Sequence, residues 1–329
     1  MNALDRQKLK EMRNYIIRRL LLVIPTLLIA SLIVFFMVRL IPGDIIAQML
    51  QERESTNLEV DRVMIERSLG LDVPVYVQYF RWMGGIILHG DLGKSLWEGT
   101  PVAEDIAAKL PVTFELGLFS LIIGLLISLP VGIFSAVRQD TIGDYIARSF
   151  AILCIAVPSF WLGIMVMVFP SIWWGWSPPI TLVRFAEDPA GNLVQFVVPA
   201  VILGMSLAGV TMRMTRSMML EVLRQDYVRT AWSKGLKERT VVVQHAMKNA
   251  LIPVVTIIGL QLPILVGGTV IIEKIFALPG IGRLMLDAIV QRDYTIVSGL
   301  MLVIASFVLL CNIAVDLTYG FLDPRVQYK

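Results

Sequence analysis

Six stretches of the chain contain no Asp, Glu, Lys or Arg: 20–38, 116–137, 149–183, 189–212, 249–272 and 295–315. About 20 apolar residues in helix cross a bilayer core, so five of these stretches match one span each. The third is too long, but Pro178 and Pro179 break it after the Trp173-Trp174-Gly175-Trp176 cluster. That cluster reads as an interfacial aromatic belt, which places the third span at 145–173. The runs are continuously apolar and do not alternate with period two, which excludes a transmembrane barrel. The pattern predicts an all-α polytopic membrane protein with six transmembrane helices.

The charges between the runs predict how the chain is threaded. The first nineteen residues hold Arg6, Lys8, Lys10, Arg13, Arg18 and Arg19 against Asp5 and Glu11. Segment 213–248 holds eight Lys and Arg residues against Glu221, Asp226 and Glu238. Both belong on the cytoplasmic side by the positive-inside rule. An even number of spans returns the C-terminus, with Arg325 and Lys329, to that side. Connection 41–111 carries six basic and eleven acidic residues, a balance that fits the outer side. A basic start before an apolar run mimics a signal peptide, but 39–44 offers no small-x-small cleavage site, so a retained anchor helix is expected. The expected divisions are a cytoplasmic N-terminus at 1–19, a first span at 20–40 and an extracytoplasmic segment at 41–111. A core of five helices follows at 112–322, then a cytoplasmic tail at 323–329.

Composition agrees with the lipid setting. Apolar residues make up 56% and charged residues 17%, with a mean hydropathy of +0.73; soluble domains carry about 25% charged residues. The net charge of +3 is no nucleic-acid signature. Cys154 and Cys311 lie inside spans without metal or redox spacing. His89 and His245 are too separated for a metal site or a triad. Glu115 and Asp316 lie at span margins, and no acid is expected deep in a span, which leaves proton-driven transport little to work with. Gly90-Asp91-Leu92-Gly93-Lys94-Ser95 mimics the end of a P-loop, but Leu88 stands where the first glycine belongs and no buried strand precedes it.

Within the connections, 60–69 and 75–87 are amphipathic helix candidates, and 101–110 reads as a short helix leading into the second span. The turn 138–144 is short and mixed in charge, and 174–193 is expected to be irregular. Pro279-Gly280-Ile281-Gly282 breaks the connection 273–294 before a helix at 283–291. Glycines and prolines within spans, among them Gly124, Gly132, Gly204 and Gly209, allow close helix packing and kinks. Pro158, Pro263, Gly267 and Gly268 are candidates for bends lining a central path.

The most informative polar stretch is 212–253. Arg213 and Arg216 are expected to face headgroups. Leu223, Tyr227 and Ala231 then recur every fourth residue beside Val228 and Trp232, which predicts an amphipathic helix from 221. Lys234 in the last turn suits the helix dipole, and Gly235 stands as its C-terminal cap. A second polar helix, 236–248, would lead to a fifth span entered at Pro253. A solvated hairpin is one reading. The apolar stripe and the Ala-x3-Gly turn also fit a rigid docking element for a soluble partner.

The run Tyr227-Val228-Arg229-Thr230-Ala231, then Lys234-Gly235-Leu236, then His245-Ala246-Met247-Lys248-Asn249-Ala250-Leu251-Ile252-Pro253 resembles the coupling loop of ABC importer permeases, here at 217–249. It is similar more narrowly to the B-type subunit of the oligopeptide/dipeptide permease family. Importers generally carry Glu-Ala-Ala then Gly, where this chain has Arg229-Thr230-Ala231, and Pro253 lies further from Gly235. Both departures are those of the peptide-permease branch. Further blocks resemble the family in order, including Arg18-Arg19-Leu20, Ile41-Pro42-Gly43-Asp44, Leu69-Gly70-Leu71-Asp72, Ala156-Val157-Pro158-Ser159-Phe160-Trp161, Arg292-Asp293-Tyr294 and Leu322-Asp323-Pro324-Arg325.

The resemblance implies a type I ABC importer permease fold in a bacterial inner membrane, and a non-catalytic subunit. It implies a homologous permease subunit, two cytoplasmic ABC ATPases and an extracytoplasmic solute-binding protein as partners. ATP and Mg would sit on the ATPases, with no cofactor on this chain. Tyr227, Val228, Arg229, Thr230, Ala231, Lys234, Gly235 and Leu236 would couple to an ATPase. Peptides are the implied cargo, with nickel, glutathione or oligosaccharides as family alternatives. A secondary transporter predicts buried ionisable residues or an inverted repeat, and a membrane enzyme predicts clustered acids or histidines; the sequence displays neither.

Overall fold

The computed structural model describes the backbone of residues 3–40, 46–47, 50, 62–63, 66–67, 70, 72–175, 177, 179 and 181–322. The tail 323–329, the block 41–44 and most of the helix candidate 60–69 lie outside the described residues. Ten helices are described: α1 (Ala3–Arg39), α2 (Val75–His89), α3 (Val102–Val137), α4 (Ile142–Ala156), α5 (Ser159–Trp174), α6 (Pro189–Leu223), α7 (Asp226–Ser233), α8 (Lys248–Ile275), α9 (Ile281–Val290) and α10 (Tyr294–Leu322). A three-residue turn, Glu238–Thr240, and a π-helical segment, Val241–Met247, lead directly into α8.

Five helical runs are long and apolar enough to cross a membrane, and α4 with α5 makes a sixth as a bent pair. The six expected spans are therefore present, with three differences. The third is no single rod: α4 and α5 meet at 91°. Pro158 offers no N–H and pushes Val157 out of the helical region, to φ −83° and ψ 120°, as a residue before proline prefers. The short helix expected at 101–110 is the first part of α3, which runs on through Pro111. The polar helix expected at 236–248 is not separate either. The chain is continuously helical from Glu238 to Ile275, and Pro253 lies inside α8.

The centre of the molecule is the pairing of α3 with α6, which pack along most of their lengths. Ser120, Gly124, Ser128 and Gly132 form a buried stripe four residues apart on α3, and Gly124 and Gly132 meet Gly204, Leu207 and Thr215 of α6. In lipid no water is expelled when helices meet, so close backbone approach drives the packing, and small residues permit it. A Cβ at Gly204 would stand 2.7 Å from the Ser120 carbonyl oxygen, and one at Gly132 would stand 2.9 Å from that of Met212. Leu116, Phe196, Leu203 and Ile272 complete this core with α8.

The two ends of the bundle differ. Ala136, Met219, Val242, Ala246 and Ala250 gather at one end, where α3 and α6 finish and α8 begins. Val38, Val102, Ile281 and Leu300 gather at the other, where α1 finishes and α3 and α10 begin. There α2 lies against α1 through Phe35, Tyr79 and Trp82, and the Ser31 and Tyr79 hydroxyls lie 3.0 Å apart.

Candidate functional site

The hairpin between α6 and α8 forms where the helix from the membrane breaks. Helix α6 continues to Leu223, Arg224 and Gln225 interrupt it, and Gln225 turns extended at φ −71° and ψ 148° before α7. The amphipathic helix expected from 221 is thus split, and Leu223 belongs to the element before the break. Helix α7 is eight residues long, too short to be stable alone. Val228 and Ala231 fix it by burial against Val241, with Val222 and Leu223 alongside. The Asn249 side chain donates a 2.8 Å hydrogen bond to the Tyr227 hydroxyl, which in turn donates to the His245 carbonyl at 3.3 Å. These bonds tie α7 to the base of α8.

Gly235 closes the hairpin at φ +73°, its N–H donating to the Trp232 carbonyl at 2.9 Å. A Cβ there would meet nothing within 4 Å. The demand for glycine is therefore conformational and not one of space. Lys234 is the cap of α7, and Arg229 pairs with Asp226 at 3.6 Å in open solvent. The stripe divides into two faces. Val228 and Ala231 point inward, while Tyr227, Trp232 and Leu236 remain 43%, 44% and 37% exposed. Three large side chains are thus left exposed on a short, polar hairpin.

The start of α4 carries a buried polar cluster that the sequence pattern did not reveal. Asp144 is fully buried and receives two 2.8 Å bonds from the Arg216 guanidinium, through Nε and a terminal nitrogen. Ser135 donates to the same carboxylate, and Arg216 Nε lies 3.1 Å from the Ser135 hydroxyl. The Asp140 N–H adds a bond at 3.0 Å. Helices α3, α4 and α6 are thereby locked together, while Arg138 at the end of α3 reaches Glu238 at 3.4 Å. Arg213 is exposed as expected, but Arg216 faces inward. It stands four residues after Met212 and continues the Ala200-Gly204-Ala208-Met212 stripe, a signal the sequence carried.

The margins of the spans hold acids whose burial the sequence pattern did not reveal. Asp144, Glu273 and Asp293 are all fully buried at helix ends. Glu273 accepts from the Thr113 hydroxyl at 2.7 Å and from the Arg283 N–H at 2.9 Å, at the start of α9. Asp293 accepts from the Ser95 hydroxyl at 2.7 Å and the Leu96 N–H at 2.8 Å. Two donors of the loop that mimics a P-loop, the Ser95 hydroxyl and the Leu96 N–H, are therefore taken by a carboxylate of its own chain. Of the bend candidates, Pro158 stands at the 91° break, whereas α8 runs uninterrupted through Pro263, Gly267 and Gly268. Among the described residues no group of three or more His, Cys, Asp or Glu is placed to hold a metal.

Comparison with known proteins agrees with this architecture. Residues 128–328 match the family described as binding-protein-dependent transport system inner membrane component, and residues 12–117 match its N-terminal companion. The chain is 38% identical to the dipeptide transport system permease protein DppB of Escherichia coli K12, covering 97% of this chain and all of that one. It is 39% identical to the oligopeptide transport system permease protein AppB of Bacillus subtilis, over 96% of this chain and all of the relative. Two crystal forms of the inward-facing MetNI methionine ABC transporter superpose with TM-scores of 0.53 and 0.55 at 18% identity. They cover 66% and 67% of this chain and 96% of each matched chain, which shows a shared fold.

Proposed function

This chain belongs to the binding-protein-dependent transport system inner membrane components, and on that premise we propose that it forms half of a translocation pathway for short peptides. Full-length similarity to permeases named for dipeptides and oligopeptides supports the cargo. In this reading a homologous permease subunit supplies the other half, and a solute-binding protein delivers the peptide from outside. Two cytoplasmic ATPases bind the nucleotide, and both termini and the hairpin face the cytoplasm.

The observation that carries the coupling role is the two-faced hairpin. Val228 and Ala231 fasten α7 to the base of α8, and Tyr227, Trp232 and Leu236 are left for a partner. A helix held on one side and gripped on the other transmits displacement. Closure of the ATPases on ATP would move α7, and through Val241 and the π-helical segment it would move α8. Such a ligand acts by favouring one arrangement of a bistable unit over the other. The test is uptake of a labelled dipeptide by cells expressing the whole system. Gly235→Trp and Ala231→Arg are expected to abolish uptake while the assembled complex is still recovered from membranes. Import at the normal rate by assembled variants would show that the hairpin does not couple.

A further inference from the structure

At the end of the bundle away from the hairpin, a cavity of about 490 Å³ opens between the start of α3, the end of α8 and α9. That volume falls in the range of about 300–1,000 Å³ typical of small-molecule sites. Its lining carries charges of both signs, Glu98, Asp105 and Lys109 on one side and Lys274, Arg283 and Asp287 on the other. Asp287 answers two cations at once, Lys274 at 2.5 Å and Arg283 at 3.7 Å, so that side retains an excess of positive charge. Across the cavity, Asp105 accepts only a hydroxyl, that of Thr100 at 2.7 Å. Among the described residues no cation lies within ion-pair range of Glu98 or Asp105, and no carboxylate within range of Lys109.

The walls are held from behind. Ser95, beside Glu98, is bonded to buried Asp293, and the Arg283 N–H is bonded to buried Glu273, which also holds Thr113 of α3. A Cβ on Gly280, in the same wall, would overlap the Glu273 carboxylate. Two buried carboxylates thus set the spacing between the charged walls before any ligand arrives, and such preorganisation lowers the cost of binding.

We propose that this cavity is a receiving site for a short zwitterionic peptide, its α-ammonium directed to Glu98 and Asp105 and its carboxylate to Lys109, Lys274 and Arg283. The site rests on the peptide reading above and deepens it, since it gives the membrane subunit its own recognition of free peptide termini. A neutral sugar offers nothing to these charges, and a simple anion would use only half of them.

The complex is purified in nanodiscs without the solute-binding protein, and binding of Ala-Ala is measured by calorimetry beside its N-acetyl and C-terminal amide forms. Blocking either end is expected to weaken binding by about tenfold or more, the scale of a hydrogen bond to a charged group. Glu98→Gln with Asp105→Asn should weaken Ala-Ala and leave the N-acetyl form unchanged. Lys109→Gln should weaken Ala-Ala and leave the amide unchanged. Equal binding of free and blocked peptides, insensitivity to these substitutions, or no binding at all would overturn the site. Uptake of the same dipeptide by cells separates the two readings. Uptake without cavity binding removes the site alone, and absence of both removes the peptide reading with it.

Discussion

Asp144 has no exposed surface, and the charge it carries into the protein is answered chiefly by Arg216, with a geometry of two parallel bonds, while Arg148 Nε lies 3.5 Å from the same carboxylate. A buried pair of this kind contributes little compared with an apolar pair of the same shape, but removing one partner strands the other. Arg216→Ala is expected to destabilise the subunit by about 3–5 kcal/mol, read as a lowered unfolding midpoint of the purified complex. Asp144→Asn combined with Arg216→Gln removes both charges and should cost less than the single change, the mark of a coupled pair. Arg216 was legible in the spacing of the α6 stripe; Asp144 was not, because its closest partners, Arg216 and Ser135, lie on other helices. Glu273 and Asp293 were hidden for the same reason. Thr113 is 160 residues from Glu273, and Ser95 is 198 from Asp293. A carboxylate at the end of an apolar run reads as an interface residue until the fold shows what covers it.

Among the elements, long apolar runs were readable because lipid requires a span to satisfy its own backbone, and only helices of sufficient length do so. Their junctions were less readable. Proline broke the chain at Pro158, where a new direction was available, yet Pro111 and Pro253 lie inside continuous helices. The π-helical segment Val241–Met247 had no sequence signature, although it joins the hairpin to α8. Such segments close each hydrogen bond over one residue more than an α-helix and recur at functional sites. Deleting Gln244, which is exposed, should turn that segment into α-helix and rotate the hairpin by about 100° relative to α8. Uptake should be lost while the α3–α6 pairing and complex assembly persist. Gly204→Leu acts in the opposite way. It forces α3 from α6, and the expected loss is about 1–3 kcal/mol with reduced recovery of the folded complex.

At the scale of the whole molecule, the hairpin and the charged cavity occupy opposite ends, so a single labelling experiment tests their sidedness. Trp232→Cys should react with a membrane-impermeant maleimide only after cells are opened, whereas Glu98→Cys should react in intact spheroplasts. Labelling of both from one side would contradict the threading. The separation also has a consequence for how the protein is made. The loop around Ser95 leaves the ribosome early, but Asp293 arrives only with the start of α10, after nearly two hundred further residues. Closing so large a loop is left until late. Until the sixth span is in place the Ser95 loop lacks its Asp293 anchor, and a chain truncated before residue 293 should insert five spans yet leave that loop more open to protease. The clamp therefore serves as a completion check: protease resistance at one early loop reports that the last helix has been delivered.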